Sequence, residues 1–293
     1  MYNNNLDIEH KVRKETGKHE ISASIVTPFH GGYDILARTV ASLSRQSYSK
    51  DLFEVIIVAD ANHAEAELVA ERYKSEIEIK LVKIYNNNSF GPATSRNAGI
   101  HFAKGDVIVS LDSDMICPPS FLGSHMRWFH KSPKIATIGL RKFVKANNIQ
   151  PEDIIRDFHM ISSLPEICSI SNTTTGSLRD KRIPELKQFR IHPFPSNCFH
   201  GGNVAYWRDD ALSVGLWDED FNGNYGYEDI DFGQRLFQNH TNLIFENGAT
   251  AYHQESNVVS PRERQKGLSI NRIKLYERYP ALASFRKDTL ESI

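Results

Sequence analysis

Two carboxylates one residue apart, Asp112 and Asp114, follow the apolar run at 107–111. Carboxylates two positions apart on an extended backbone project in the same direction. A hard divalent cation such as Mn²⁺ or Mg²⁺ can accept both and keep positions open for a diphosphate. The pair therefore predicts a metal and diphosphate site where a buried strand ends. Since Asp-x-Asp also recurs by chance, a solvated strand-end turn is the alternative from this pattern alone.

The elements that must hold this pair form an alternation of strands and helices. Apolar runs predict strands at 21–28, 53–59, 79–84 and 106–111, and helical spacing predicts helices at 33–46, 64–75 and 92–103. This order, with short turns such as 86–88, predicts an α/β fold with a parallel sheet. Right-handed crossovers bring the strand ends to one edge, where such sheets bind ligands. Thr27, Asp60 and Asp112 end three of the strands and are expected to meet there.

The bulk composition excludes several function classes. The 293-residue chain carries 35 Lys and Arg against 36 Asp and Glu, so no basic field indicates a nucleic-acid partner. The three cysteines lack the spacing of a zinc site or of a disulfide framework, which favours a reducing compartment. Residues 1–20 are polar, and no apolar run approaches the ~20 residues of a membrane span. A soluble, cytoplasmic protein is expected.

The segment 262–287 is rich in Lys and Arg and interleaved with apolar residues. One expectation is peripheral contact with the anionic inner surface of a membrane. The alternative is an amphipathic helix that packs on the domain and keeps a solvated basic face.

Two blocks of sequence carry a resemblance to a known family. The segments SIVTPF, EVIIVAD, GPATSRNAG and SLDSD, at 24–29, 54–60, 91–99 and 110–114, resemble the family 2 glycosyltransferases. The segments HGGNVA and GYEDID, at 200–205 and 226–231, resemble the C-terminal half of galactosyl- and N-acetylgalactosaminyltransferases. The resemblance implies a GT-A fold, in which helices flank a mainly parallel central sheet.

It also implies a division of the chain. After an N-terminal extension at 1–20, a single catalytic domain is expected at 21–260 and a basic helical segment at 261–293. Within the domain, 21–116 is the expected nucleotide-binding half and 117–260 the donor-sugar and acceptor half. The segment 145–196, which mixes Pro, Ser, Thr and Asn with short apolar pieces, is expected to be a substrate-shaped insertion.

The resemblance assigns a nucleotide-binding group: Thr27, Pro28, Phe29, Asp60, Arg96, Asp112 and Ser113. Asp60 is expected to bond the base and Arg96 to reach the base or the diphosphate, because Arg presents planar donors to phosphate. Ala61 follows Asp60 where the family commonly has an acidic or Ser residue, which leaves the base identity open. Alternatively, Asp60 caps the following helix, and Arg96 is a surface residue of its helix.

The second block is expected to carry the chemistry. Asp229 matches the general base of inverting relatives, and Glu228 is expected to assist it. His253 is expected to complete a metal site with Asp112 and Asp114, a ligand set that suits Mn²⁺ better than Ca²⁺. Six residues are expected to contact the donor sugar or the acceptor: Gly201, Gly202, Asn203, Trp217, Tyr227 and Asp231. For Trp217 and Tyr227, core packing is an equal alternative.

Two other functions compete. The segment 218–229 begins like an EF-hand calcium loop, but Asp229 stands where that loop has a bidentate Glu. A sugar nucleotidyltransferase could share the sheet and the acids, yet 24–32 lacks the basic residues of a triphosphate loop. The favoured function is a metal-dependent, inverting transfer of a hexose or N-acetylhexosamine from a UDP-sugar to a hydroxyl acceptor. The acceptor stays open among glycan, lipid-linked sugar, protein and metabolite.

Overall fold

The computed structural model of the chain describes residues 20–85, 91–166, 170–171, 176–177, 180, 182–254 and 261–291. The N-terminal extension up to residue 19, the predicted 86–88 turn, Cys168 and parts of the 145–196 insertion lie outside the described residues.

One eight-stranded sheet runs through the domain, in the order β3-β2-β1-β4-β9-β6-β10-β5. Its strands are β1 (Ala23–Phe29), β2 (Phe53–Ala59), β3 (Glu78–Lys83), β4 (Val107–Leu111), β5 (Met115–Ile116), β6 (Ile135–Val144), β9 (Asn203–Trp207) and β10 (Asn242–Gln254). The short strands β7 (Ile170–Ser171) and β8 (Gly176–Ser177) pair separately. The four strands predicted from apolar runs form the parallel group β3-β2-β1-β4, which confirms the α/β prediction.

Helices cover both faces of this sheet. They are α1 (Tyr33–Ser44), α2 (His63–Tyr73), α3 (Pro92–Phe102), α4 (Phe121–Met126), α5 (Pro151–Arg156), α6 (His159–Ser162), α7 (Ile183–Lys187), α8 (Arg208–Ser213), α9 (Glu228–Gln238), α10 (Pro261–Arg278) and α11 (Pro280–Glu291). Ile25 packs in one core cluster with Leu36 of α1, whereas its neighbour Val26 packs in the other with Ile100 of α3. Burial on both faces explains why these strands read as continuous apolar runs.

The strand β9 reverses the sheet direction. It runs antiparallel to both β4 and β6, and Asn203 at its start pairs with Leu111 at the end of β4. The backbone N–H of Asp112 therefore donates to the carbonyl of Gly202 across 3.2 Å. Two segments about 90 positions apart in the chain meet at the edge where ligands were expected.

The C-terminal helices pack on the domain. Leu275 is fully buried, and the Asn271 amide donates to the carbonyls of Phe221 and Gly226 at 2.9 and 2.8 Å. This packing agrees with the amphipathic-helix interpretation of the basic segment. Among the described residues, every helix falls short of the length and apolar character that crossing a bilayer requires.

Candidate active site

A carboxylate and an imidazole meet at the edge of the sheet. Asp114 Oδ2 lies 3.3 Å from His253 Nε2, because β10 pairs with β5 and aligns His253 with Met115. Asp114 Oδ1 and His253 Nδ1 are buried and have no hydrogen-bond partner among the described residues. Burial and the nearby Asp112 raise the pKa of Asp114, while His253 opposes the rise. An oxygen and a nitrogen donor side by side fit an ion of the Mn²⁺ type.

Asp112 and Asp114 do not stand on an extended backbone, which corrects that expectation. The two residues lie in the turn between β4 and β5, where the Met115 N–H donates to the Asp112 carbonyl at 3.3 Å. Asp112 contacts Arg96 instead. Within the described parts of the chain, no three His, Cys, Asp or Glu side chains converge as a metal site. Of the expected three-residue ligand set, Asp114 and His253 lie in direct contact, and Asp112 pairs with Arg96.

Arg96 links the two halves of the site. It donates from Nη2 to Asp112 at 3.2 Å and from Nη1 to Glu228 at 3.1 Å, and its guanidinium lies 4.6 Å from the Trp217 ring centroid. Its side chain is only 6% exposed, so the surface-residue alternative is wrong. Because two carboxylates occupy its fork, Arg96 positions Asp112 and Glu228 rather than extending freely toward a base or diphosphate.

The acidic pair Glu228–Asp229 begins α9. Burial and the Asp229 carboxylate raise the pKa of Glu228 to about 7, against the opposing effect of Arg96. Burial also raises the pKa of Asp229, although Arg96, Arg141 and the N–H groups of Ile230 and Gly201 favour its ionised form. Desolvation therefore outweighs the groups that favour the ionised form of Asp229. A raised pKa makes a carboxylate a stronger proton acceptor, which suits a general base.

Gly201 and Gly202 pass close to functional side chains. A Cβ on Gly202 would lie 2.0 Å from Asp112 Oδ2, and a Cβ on Gly201 would lie 2.8 Å from Trp217 and 2.9 Å from the Arg96 guanidinium carbon. The groups closest to these two glycines are thus protein side chains of the site. The glycines let the edge of β9 close onto Asp112 and Arg96.

The ends of β1 and β2 carry residues that were predicted to bind the nucleoside. Asp60 lies 2.8 Å from His30 Nδ1 and accepts from Ser95 Oγ at 3.4 Å. Asp60 is not a helix cap, because α2 begins at His63 and its N-cap is Asn62. Thr27 is buried beside this edge, and its hydroxyl has no hydrogen-bond partner among the described residues. Pro28 is half-buried, and the Ser113 carbonyl accepts from Thr39 at 2.7 Å.

Four expected ligand-contacting side chains lie in the interior instead. Phe29 packs in the core at 1% exposure. Trp217 is fully buried and stacks on Phe232 at 4.4 Å. Asn203 is fully buried, donates to two backbone carbonyls and lies 3.0 Å from His125 Nε2. These contacts correct the nucleoside role of Phe29 and the sugar roles of Trp217 and Asn203.

The fourth is Asp231, which is fully buried and accepts from Arg235, Arg278 and Tyr279. It holds α9 against the C-terminal helices and does not face an acceptor. Tyr227 is half-buried, has a φ of +74° directly before α9 and packs beside Phe221. A left-handed tyrosine is strained and persists where the surrounding structure holds it.

The calcium-loop alternative fails on geometry. The first expected ligand, Asp218, is 1% exposed and accepts from Arg278 at 2.7 Å. The segment before it is α8, which has six residues and cannot serve as a full entering helix.

Sequence reasoning missed Arg141 and His200 as site residues. Arg141 Nη2 lies 2.8 Å from His200 Nδ1, and its charge favours the ionised forms of both Asp114 and Asp229. An arginine at the end of the mostly apolar run 135–140, in the later β6, was the available signal. His200 directly precedes the glycine pair and was quoted only as part of that motif.

Comparison with known proteins identifies the family of the chain. The family model described as "Glycosyl transferase family 2" matches residues 24–211. The chain belongs to this family. This family 2 chain is 31% identical over 268 residues to the chondroitin synthase of Pasteurella multocida (strain Pm70). The alignment covers 89% of the chain and 28% of the relative. It is 29% identical over 275 residues to a Pasteurella multocida hyaluronan synthase, with 91% of the chain and 28% of the relative covered. The chain thus spans little more than a quarter of the length of these relatives.

A solved structure extends the likeness to the fold. GalNAc-T7, solved with UDP, GalNAc and Mn²⁺, superposes on this chain with a TM-score of 0.62 at 18% identity. The superposition covers 93% of this chain and 55% of the GalNAc-T7 chain. The expected GT-A fold is confirmed. Family membership also removes the nucleotidyltransferase alternative.

Proposed function

We propose that this chain is the catalytic unit of a metal-dependent glycosyltransferase. It moves a hexose or N-acetylhexosamine from a UDP-sugar to an acceptor hydroxyl, with inversion at the anomeric carbon. The observation that carries the proposal is the convergence on one sheet edge of the Asp114–His253 pair, 3.3 Å apart, and the acidic start of α9 beside Gly201. Residues with two different chemical tasks meet there from three distant parts of the chain.

The first task is to neutralise the departing diphosphate. Asp114 and His253 would hold a divalent ion such as Mn²⁺, and the 3.3 Å approach of Asp114 Oδ2 to His253 Nε2 supports this donor set. When bound, the ion supplies positive charge to the leaving phosphate oxygens. GalNAc-T7, which shares the fold, was solved with UDP and Mn²⁺.

The second task is to accept the proton of the attacking hydroxyl. Asp229 is half-buried and has a raised pKa. As the hydroxyl oxygen attacks the anomeric carbon, Asp229 takes its proton and the bond to the diphosphate breaks on the opposite side. Arg96 and Glu228 hold the base against β9, because Glu228 accepts from Arg96, which also binds Asp112. Displacement from the far side inverts the configuration.

The names of the relatives favour a glycan acceptor. Chondroitin and hyaluronan are polysaccharides, and the two relatives are named as their synthases. Lipid-linked sugars, proteins and small metabolites are tested beside glycans.

The experiment is a panel of nucleotide sugars with Mn²⁺, scored for UDP release with and without acceptors. Asp229→Asn is expected to lower transfer by about 10²- to 10⁴-fold, the usual contribution of a general base, and to leave UDP affinity within a few-fold. Asp114→Ala is expected to weaken metal-dependent UDP binding. Asp209→Asn, at an exposed acid on α8, is the matched control and should behave as wild type.

Two results would contradict the proposal. Wild-type transfer rates in Asp229→Asn would remove the base assignment. Failure of the wild-type chain to bind any nucleoside diphosphate or diphospho-sugar with Mn²⁺ would remove the donor class.

A further inference from the structure

Arg141 lies on the same face of the sheet as the metal-binding pair. In the parallel pairing of β6 with β10, Arg141 is aligned with Ala251 and Phe143 with His253. Directly paired residues of parallel strands, and residues two apart on one strand, share a face. The ring centroids of Phe143 and His253 are 4.6 Å apart, which agrees with this placement. The Arg141–Ala251 pair therefore lies two positions from the Phe143–His253 pair, on the same face of the sheet.

Arg141 also reaches toward the base. Its Nη2 donates to His200 Nδ1 at 2.8 Å, and the next residue, Gly201, donates its backbone N–H to Asp229. The positive charge of Arg141 acts on Asp114 and on Asp229. Arg141 therefore shares a sheet face with His253 and also contacts His200, the residue before the glycine pair, so it lies near both parts of the site that would act on a donor's diphosphate.

Asp180 does not neutralise the positive charge of Arg141, because it also pairs with Arg182. Asp180 lies 3.7 Å from Arg141 Nε, whereas Arg182 binds the same carboxylate through Nε at 2.9 Å and Nη2 at 2.6 Å. Two guanidinium groups face one carboxylate, so the group keeps one net positive charge. Arg141 Nε is buried and has no hydrogen-bond partner among the described residues, while the side chain is 17% exposed.

We propose that Arg141 binds the diphosphate of the nucleotide-sugar donor and neutralises part of the charge that develops on it as the sugar leaves. This inference rests on the proposed function and deepens it. Arg182 holds Asp180, Asp180 accepts the Arg141 backbone N–H at 3.2 Å, and His200 orients the guanidinium. A guanidinium held in this way can donate to two phosphate oxygens with little further loss of side-chain conformational entropy.

The test compares three probes that differ in phosphate content: uridine, UMP and UDP, each titrated calorimetrically with Mn²⁺ present. Arg141→Gln is expected to weaken UDP binding by about 10- to 100-fold, since bonds to charged groups are the strong ones. Uridine affinity should stay within about twofold. Arg141→Lys keeps the charge and loses the fork, so its UDP affinity should fall between those of wild type and Arg141→Gln.

The matched control is Lys142→Gln, which removes a positive charge from the next position of β6, on the opposite sheet face. It should leave all three affinities unchanged. Equal losses of uridine and UDP affinity in Arg141→Gln, or UDP affinity equal to that of Lys142→Gln, would overturn the inference while the proposed function stands. If Arg141→Gln does not fold, Arg141→Lys decides, and unchanged UDP affinity there overturns the inference. If wild type binds no UDP, both proposals fail.

Discussion

Arg278 connects the C-terminal helix α10 to the acidic segment that leads into the site. Its Nη1 donates to Asp218 at 2.7 Å and to Asp231 at 2.6 Å, and these carboxylates are 1% and 0% exposed. Replacing Arg278 with methionine keeps most of the aliphatic packing and removes the charge. We expect this change to destabilise the fold and to disturb the position of Asp229.

The size of the stability loss depends on which hydrogen-bond partners each carboxylate retains after Arg278 is replaced. Asp231 retains Arg235 at 2.8 Å and the Tyr279 hydroxyl at 3.0 Å. Asp218 keeps the Asp220 N–H at 3.0 Å and loses its cation. Breaking a buried ion pair costs about 3–5 kcal/mol, and the 25% exposure of Arg278 favours the lower end of that range. A loss of about 3 kcal/mol lowers the Tm of a domain of this size by about 6–12 °C.

Thermal and urea unfolding of Arg278→Met, beside Arg272→Met, measure this loss. Arg272 is exposed on the same helix, so its replacement should change the free energy of unfolding by no more than about 0.5 kcal/mol. Adding Asp218→Asn to Arg278→Met should recover part of the loss, because it removes the uncompensated charge. At a temperature where Arg278→Met is folded, kcat should fall while UDP affinity is retained, since Arg278 acts on the segment before Asp229.

Equal unfolding curves for Arg278→Met and Arg272→Met would refute this reasoning. So would the absence of any recovery in the double variant, because the stability loss would then come from packing and not from the Asp218 charge.

Two further changes test the site. Because the pKa of Glu228 is raised from 4.5 to about 7, the folded state keeps its proton where the unfolded state has lost it, and stability should fall as pH rises through this window, by at most about 1.4 kcal/mol per pH unit. Urea titrations from pH 5 to 8 should therefore show that the free energy of unfolding of Glu228→Gln increases relative to that of wild type as pH rises. Parallel pH curves for the two proteins would contradict this. Gly202→Ala should displace Asp112, whose Oδ2 lies 2.0 Å from the added Cβ, and lower UDP release at least tenfold, whereas Gly123→Ala, whose Cβ meets nothing within 4 Å, should match wild type. Full activity of Gly202→Ala would show that Asp112 can move without consequence.

The first half of the fold was predictable because strands buried on both faces must be apolar at every position. The strands β1 and β2 therefore appear in the sequence as mostly apolar runs, and their ends identify Thr27 and Asp60. The strand β6 carries Arg141 and Lys142 near its end and was not predicted. The antiparallel entry of β9 was not predicted either, because pairing direction depends on contacts between segments far apart in the chain.

The sequence alone determined which residue types could act: paired acids after a strand, an acidic pair before a helix, and a family resemblance that joined them to His253. Only the tertiary structure decided which of these face the cleft. It buried Asn203 and Trp217, paired Asp112 with Arg96, and brought Arg141 beside the site. The physical reason is that polar and aromatic residues serve equally well in a packed interior and on a ligand, and burial is set by neighbours that are remote in sequence.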